Sequence, residues 1–365
     1  MSAQQDVSKG VSAGRAASQS SLWTHWSTFC ATIAIDPTLQ NLQNPICFLQ
    51  IYARLYRTGS LPHQSRPVRS RTVEDALRAI GQTCASLGTQ DPRKDHTGST
   101  DFRLYRQLRS YTMEDPPPGR VKPIPFSVVA NVSTVAHATA SPSLHCIADM
   151  ITLAFFFLLR PGEYTGHTAN AKPFRLCDVR LRRGGTWLDV LTCPIHLLHQ
   201  ADYVTLEFTD QKNSVKGEVI GHGRSHHPAC CPVSAAVRRI QHLRHHNSPP
   251  TAPLASYYTT QWLRVRPAHI TKALRAAVLV LGEATLGFST KDIEARSLRA
   301  GGAMALLCAD VDKDKIQLLG RWRSDAMLRY LHIQAQPFMY RFAERMATHG
   351  SFVLLPNQTV PQLDP

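Results

Sequence analysis

Pro116, Pro117 and Pro118 stand in a row, and Gly119 and Pro123 follow closely. Proline fixes φ and offers no backbone N–H, so neither a helix nor an interior strand can run through this stretch. What remains is a semi-rigid, extended spacer. The chain of 365 residues is also too long for one compact core. Together these facts predict two domains joined by a Pro-rich linker over residues 114–124. With hydrophobic residues at 43%, a wholly disordered chain is excluded.

Ahead of the linker the patterning is helical. Residues 1–20 are rich in Ser, Ala and Gln and predict a disordered arm; residues 21–113 predict a helical domain. Pro45 opens a helix carrying Ile46, Leu49, Tyr52 and Leu55, which Gly59 ends. Thr72 and Asp75 resemble a capping box ahead of Val73, Ala76, Leu77, Ile80, Cys84 and Leu87, with Gly88 as the stop. A further helix is expected from about Thr100 to Tyr111, with Phe102, Tyr105 and Leu108 facing the core. Arg103, Arg106 and Arg109 on that helix form one basic stripe. The stripe suits a helix lying along a DNA backbone; the plain alternative is a solvated face.

Behind the linker, residues 125–350 predict a second domain, and 351–365 a loose tail. Its helices run through Arg160, and the apolar stretch Met150 to Leu159 reads as a buried helix. Trp187–Leu191 and Tyr203–Phe208 alternate as strands do, Lys212-Asn213 sits in a turn, and Gly217–Ile220 is the returning strand. From Pro232 the pattern is helical again, largely until His349. The fold class expected is mainly α with a small antiparallel β-sheet (α+β).

The formal net charge is +15, from 41 Lys and Arg against 26 Asp and Glu. Such an excess favours a polyanionic partner, because each phosphate neutralised releases a condensed counterion. The nine cysteines lack the spacing of a disulfide framework, and the polar start lacks the apolar core of a signal peptide. An intracellular, reducing compartment is therefore expected. The most apolar run is far short of the roughly 20 residues that span a bilayer, so no membrane role is expected.

Several side chains in the second half carry phosphate chemistry. Arg160, in Leu158-Leu159-Arg160-Pro161-Gly162-Glu163-Tyr164, is a guanidinium beside an acid, with a fork suited to bidentate phosphate contact. An ordinary Arg–Glu surface pair is the plain alternative. Arg296 and Arg299 precede Gly301-Gly302, and their spacing places both on one face of a helix start, where anions are favoured. Arg321 and Trp322 follow Gly320. Tyr330 lies on a helical stretch, Asp325 to His332; a phenol is a weak nucleophile and needs nearby positive charge. Lys212 and Lys216 flank one turn. Nearby, His222, His226, His227, Cys230, Cys231, His242, His245 and His246 are zinc-ligand types without a familiar spacing, so no metal site is assigned. They read instead as a histidine-rich, partly cationic surface.

This ordered set resembles the catalytic domain of the tyrosine recombinases (the phage-integrase family), over about residues 125–350. It is most similar to versions in eukaryotic mobile elements of the DIRS and Crypton type. The resemblance implies a core-binding DNA-binding domain ahead of the catalytic one, and a nucleus-located DNA integrase cleaving through a 3′-phosphotyrosyl intermediate. Tyr330 would be the nucleophile, with Tyr340 lacking the spacing. Arg160 and Arg299 match the family's two arginines. Arg296 stands where the family's motif usually has histidine, and Arg321 where it usually has histidine or tryptophan; Trp322 supplies an alternative indole donor to DNA. Lys212 sits where a hairpin lysine serves as general acid, with Lys216 as the alternative. Double-stranded DNA and a homotetrameric synaptic complex are the implied partners, and no cofactor is required. A decayed or domesticated DNA-binding copy and a type IB topoisomerase are the other readings.

Overall fold

The computed structural model describes residues 13–62, 64–117, 121–166, 173–209 and 217–322. The chain divides into two compact units between Pro118 and Gly119.

The first unit holds α1 (Ala13–Thr32), α2 (Pro45–Thr58), α3 (Ser70–Ser86) and α4 (Phe102–Glu114). Its core gathers Trp26, Phe29, Tyr52, Leu77, Ile80 and Leu104. Trp26 meets Tyr52 edge-on at 5.1 Å, and its indole N–H donates to the Pro37 carbonyl at 2.8 Å, so the buried ring keeps a polar partner. Pro45 sits in the first turn of α2, and Gly59 closes it in the left-handed region at φ 74°. Asp115 ties the end of α4 to the rest: its carboxylate accepts from the Ser70 N–H and hydroxyl and from Arg57.

Three expectations for this unit need correction. The chain is already helical from Ala13, so a disordered arm does not extend to residue 20. The third helix starts at Ser70, which places Thr72 and Asp75 inside its first turns; Asp75 pairs with Arg71 and Arg78 instead of capping. On α4, Phe102 and Tyr105 face solvent, 67% and 51% exposed, while Leu104 is the buried residue. A run at i, i+3, i+6 drifts by roughly 60° per step around a helix of 3.6 residues per turn. Leu108 therefore reaches the core and Phe102 does not.

The second unit is mainly helical around a small antiparallel sheet. It comprises α5 (Phe126–His137), α6 (Pro142–Phe156), the short α7 (Pro161–Tyr164), β1 (Val179–Arg183), β2 (Thr186–Leu188), α8 (Ile195–Leu198), β3 (Tyr203–Phe208) and β4 (Glu218–Gly223). Then follow α9 (Pro232–His245), β5 (Ser256–Tyr258), β6 (Trp262–Arg264), α10 (Pro267–Leu281), α11 (Glu283–Leu286), α12 (Ser297–Cys308) and α13 (Lys313–Gly320). The main sheet has the order β2-β1-β3-β4. Gly184 and Gly185 join β1 to β2 with φ of 52° and 90°, the paired positive values a two-residue hairpin turn needs. The β5–β6 hairpin interrupts the helical run expected after Pro232; its strands have three residues each, too short to show alternation.

α6 is central and buried nearly all round, from Cys146 to Phe155. α12 approaches α6 closely at Gly302, and the segment ahead of α5 at Gly301, because neither glycine carries a side chain. A Cβ on Gly301 would collide with the Ile124 carbonyl, and one on Gly302 with the Phe155 carbonyl and Leu158. Backbone cannot yield as a flexible side chain does. Gly302→Ala is therefore expected to destabilise the second unit by about 1–3 kcal/mol, the usual range for overpacking. Denaturant unfolding checks this; an unchanged midpoint would mean α12 can withdraw without loss.

Candidate phosphate-binding site

The C-terminus of α6 shapes one side of the site. Leu158 takes the left-handed region at φ 50°, and the Leu159 N–H donates back to the Ala154 carbonyl at 3.0 Å. This is the closure usually made by glycine. It leaves the carbonyls of Phe157 and Leu158 as acceptors. α13 ends in the same way: Arg321 sits at φ 57°, and the Trp322 N–H donates to the Gln317 carbonyl at 3.0 Å. Two helix C-termini thus present carbonyls, the negative end of the helix dipole, to nearby cations.

Guanidinium groups occupy that position. Arg299, only 3% exposed, donates to the Leu158 and Gly320 carbonyls and stacks on Trp322 with its carbon 4.2 Å from the ring centroid. Arg321 donates to the Phe157 carbonyl at 3.2 Å, to the Leu158 carbonyl at 3.3 Å and to the Leu319 carbonyl at 3.1 Å. Its carbon lies 3.8 Å from the Phe208 ring centroid, at the end of β3. The Leu158 carbonyl is therefore shared by two arginines.

Glu163 completes the cluster. Its carboxylate accepts from the Arg160 side chain at 2.7 Å, from the Arg160 backbone N–H at 2.8 Å and from Arg321 at 3.1 Å. Two guanidiniums thus meet on one carboxylate, and Arg321 links them to Arg299 through the shared Leu158 carbonyl. The cost is visible in Arg321, whose pKa is pushed down to about 10: burial is the main cause, Arg160 adds to it, and Glu163 and Glu218 oppose it. Arg160 remains the more open of the bridged pair, with about a quarter of its side chain exposed. An arrangement of this kind can hold an anion at Arg160 against a background of buried positive charge.

Arg296 and Arg299 do not share a face. Arg296 precedes the first turn of α12, where the helical angular step does not yet apply; its side chain is exposed and pairs with Glu294 at 2.9 Å. Arg296 and Glu294 line a cleft of about 790 Å³ with Pro161, Thr271, Lys272 and Arg275. Trp322 is nearly buried and packs with Leu158, Ala303 and Ile316, so its ring serves as core and as a seat for Arg299. In the first unit Arg103, Arg106 and Arg109 are all exposed, and Arg103 is bonded to Asp101. Lys212, Lys216 and Tyr330 lie outside the described residues.

The histidine-rich region is less cationic than its composition suggests. Burial lowers the pKa of His222, which packs on Phe157 at 4.7 Å, and drives that of His242 down to about 4, so both rings are neutral near pH 7. His242 accepts from the Tyr258 N–H, and His227 from the Cys230 N–H. Among the described residues, no three His, Cys, Asp or Glu side chains are grouped to hold a metal. No described helix is long and apolar enough to cross a membrane. Sequence reading missed Phe208 and the carbonyls of Phe157, Leu158 and Gly320; the signal for the carbonyls, a non-glycine residue closing a helix, leaves no residue-type mark.

No family model matches the chain, and no curated protein does. Among solved structures it is similar to the integrase of transposon Tn1549 in complex with transposon right-end DNA, at 12% identity and a TM-score of 0.45, covering 82% of this chain and 85% of that one. It is also similar to the XerH site-specific recombinase bound to difH, at 12% identity and a TM-score of 0.46, over 85% of this chain and 71% of that one. For the XerA recombinase the values are 12% and 0.36, over 96% of both chains. These are integrases and recombinases, the class the second-half motifs resemble, at a similarity that assigns neither a family nor an activity to this chain.

Proposed function

We propose that this chain is a DNA strand-transferase, a tyrosine recombinase from a mobile element that acts in the nucleus on double-stranded DNA. The observation that carries the reading is the linked cluster in which Arg160 and Arg321 meet on Glu163 while Arg299 and Arg321 share the Leu158 carbonyl. A core built only for stability has little use for so many buried cations, since desolvating a charge costs several kcal/mol. A scissile phosphate, with charge growing on its oxygens, gives them a purpose.

In this reading the Tyr330 phenol gives up its proton to solvent as its oxygen attacks phosphorus, and the bond from phosphorus to the 5′ oxygen breaks. Lys212 or Lys216 protonates the departing 5′ oxygen. A 5′ hydroxyl from a partner strand then displaces the tyrosine, so the ester energy is conserved and neither a metal nor a nucleotide is consumed. Arg160, Arg299 and Arg321 supply positive charge, Arg296 adds charge without accepting a proton, and the stripe of Arg103, Arg106 and Arg109 contacts the DNA. Four protomers assemble on the paired sites.

Tyr330→Phe is the direct test. Cells expressing the wild type are lysed in denaturant, and DNA still attached to the protein is recovered and sequenced. Attachment is expected in the wild type and lost in the variant, with the recovered sequence naming the target. A second reading, a binding protein without chemistry, is favoured by the near-complete burial of Arg299 and Arg321 against main-chain carbonyls. DNA binding without tyrosine-dependent attachment would establish that reading instead.

A further inference from the structure

The outward face of α4 is apolar and basic at once. Phe102, Tyr105 and Met113 are 67%, 51% and 80% exposed. Arg106 and Arg109 share this face, and the Arg106 guanidinium lies 5.6 Å from the Phe102 ring centroid. The opposite face, led by Leu104 and Leu108, is what packs on the first unit's core. Gln107 donates to the Gln50 carbonyl at 2.9 Å, which fixes α4 against α2 and so fixes which face looks out. Beside it α2 adds Ile51, 51% exposed, and the exposed Arg54.

Two aromatic rings held out in water are unfavourable unless something covers them. The charge chooses the occupant. Arg103 is already satisfied by Asp101, whereas Arg106 and Arg109 have no carboxylate ion pair among the described residues. An apolar protein surface would strand these cations. A DNA groove takes both kinds of group: its walls are phosphates, and its floor carries base edges and thymine methyls. A helix, about 10–12 Å across with its side chains, also fits a major groove about 12 Å wide.

We infer that α4 enters the major groove of DNA with Phe102 and Tyr105 against base edges, so that these rings, and not the neighbouring arginines, discriminate sequence for the first unit. The inference rests on the DNA reading above and assigns it a division of labour. Phosphate contacts are blind to sequence; apolar contacts to base edges are not.

The full chain is used to select binders from a random 30-base-pair duplex library, and affinities for one enriched duplex and its scrambled version are measured over a range of salt. Phe102→Ser/Tyr105→Ser is expected to lower affinity for the enriched duplex about tenfold or more, to leave the scrambled duplex nearly unchanged, and to keep the salt slope. Arg106→Gln/Arg109→Gln is expected to weaken both duplexes together and to flatten the slope by about 2, from roughly 0.9 per phosphate contact. The exposed positions make misfolding a minor risk, and an unchanged thermal transition verifies it. If the wild type discriminates and the ring variant does so equally, this inference falls while the DNA reading stands. If the ring variant weakens both duplexes alike, the rings bind without discriminating and the inference is again wrong. If the wild type binds no duplex, both readings are overturned.

Discussion

Glu163→Ala is expected to destabilise the second unit by about 3–5 kcal/mol, the usual cost of removing one partner from a buried ion pair. The cost is high because of what stays behind. Arg321 has a side chain only 2% exposed, and among the described residues Glu163 is the carboxylate bonded to it. Losing the carboxylate also frees the Arg160 backbone N–H that it caps. Glu163→Gln keeps an acceptor at the same place and is expected to lose less than half as much. Because the two units can melt separately, the transition of the second unit is followed on its own. A loss below about 1 kcal/mol for the alanine variant, the range of an exposed pair, would show that Arg160 and Glu163 form an ordinary surface contact.

What could be read from the sequence was what is encoded locally. Pro45 and Gly59 delimit α2 because each acts on its own φ, and strands β3 and β4 are long enough for alternation to show. The pair of Arg160 and Glu163 is legible because its members are three residues apart. Its extension to Arg321 spans 158 residues and is created by the folding of α13 onto the end of α6. Nor could the sequence tell that Arg299 points inward and Arg296 outward, since that depends on where α12 begins. Phe102 and Tyr105 mislead for a related reason: apolar residues three apart predict a buried stripe only when they follow the drift of the helix.

Arg321→Met separates the architectural role of the cluster from its chemical one. Burial lowers the Arg321 pKa to about 10. The folded chain therefore holds this proton less tightly than the unfolded chain does. The penalty is fully present below pH 10 and is relieved as pH rises above that value. A shift of this size corresponds to roughly 3 kcal/mol at neutral pH. The Phe208 ring returns on the order of 2 kcal/mol through its contact with the guanidinium. Arg160 still pairs with Glu163, and Arg299 still satisfies the Leu158 carbonyl, when Arg321 is gone. Stability is thus expected to change by less than about 1 kcal/mol, as is common when a buried ion pair gives way to an apolar side chain of similar size. DNA attachment through Tyr330 is expected to fall about 10²–10³-fold, the loss typical when one preorganised donor to a developing charge is removed. Combining the change with Glu163→Ala is expected to restore most of the stability lost in the single alanine variant, because no buried cation is then left alone. A fall in stability of more than 2 kcal/mol for Arg321→Met with attachment intact would reverse the assignment, making Arg321 a structural brace.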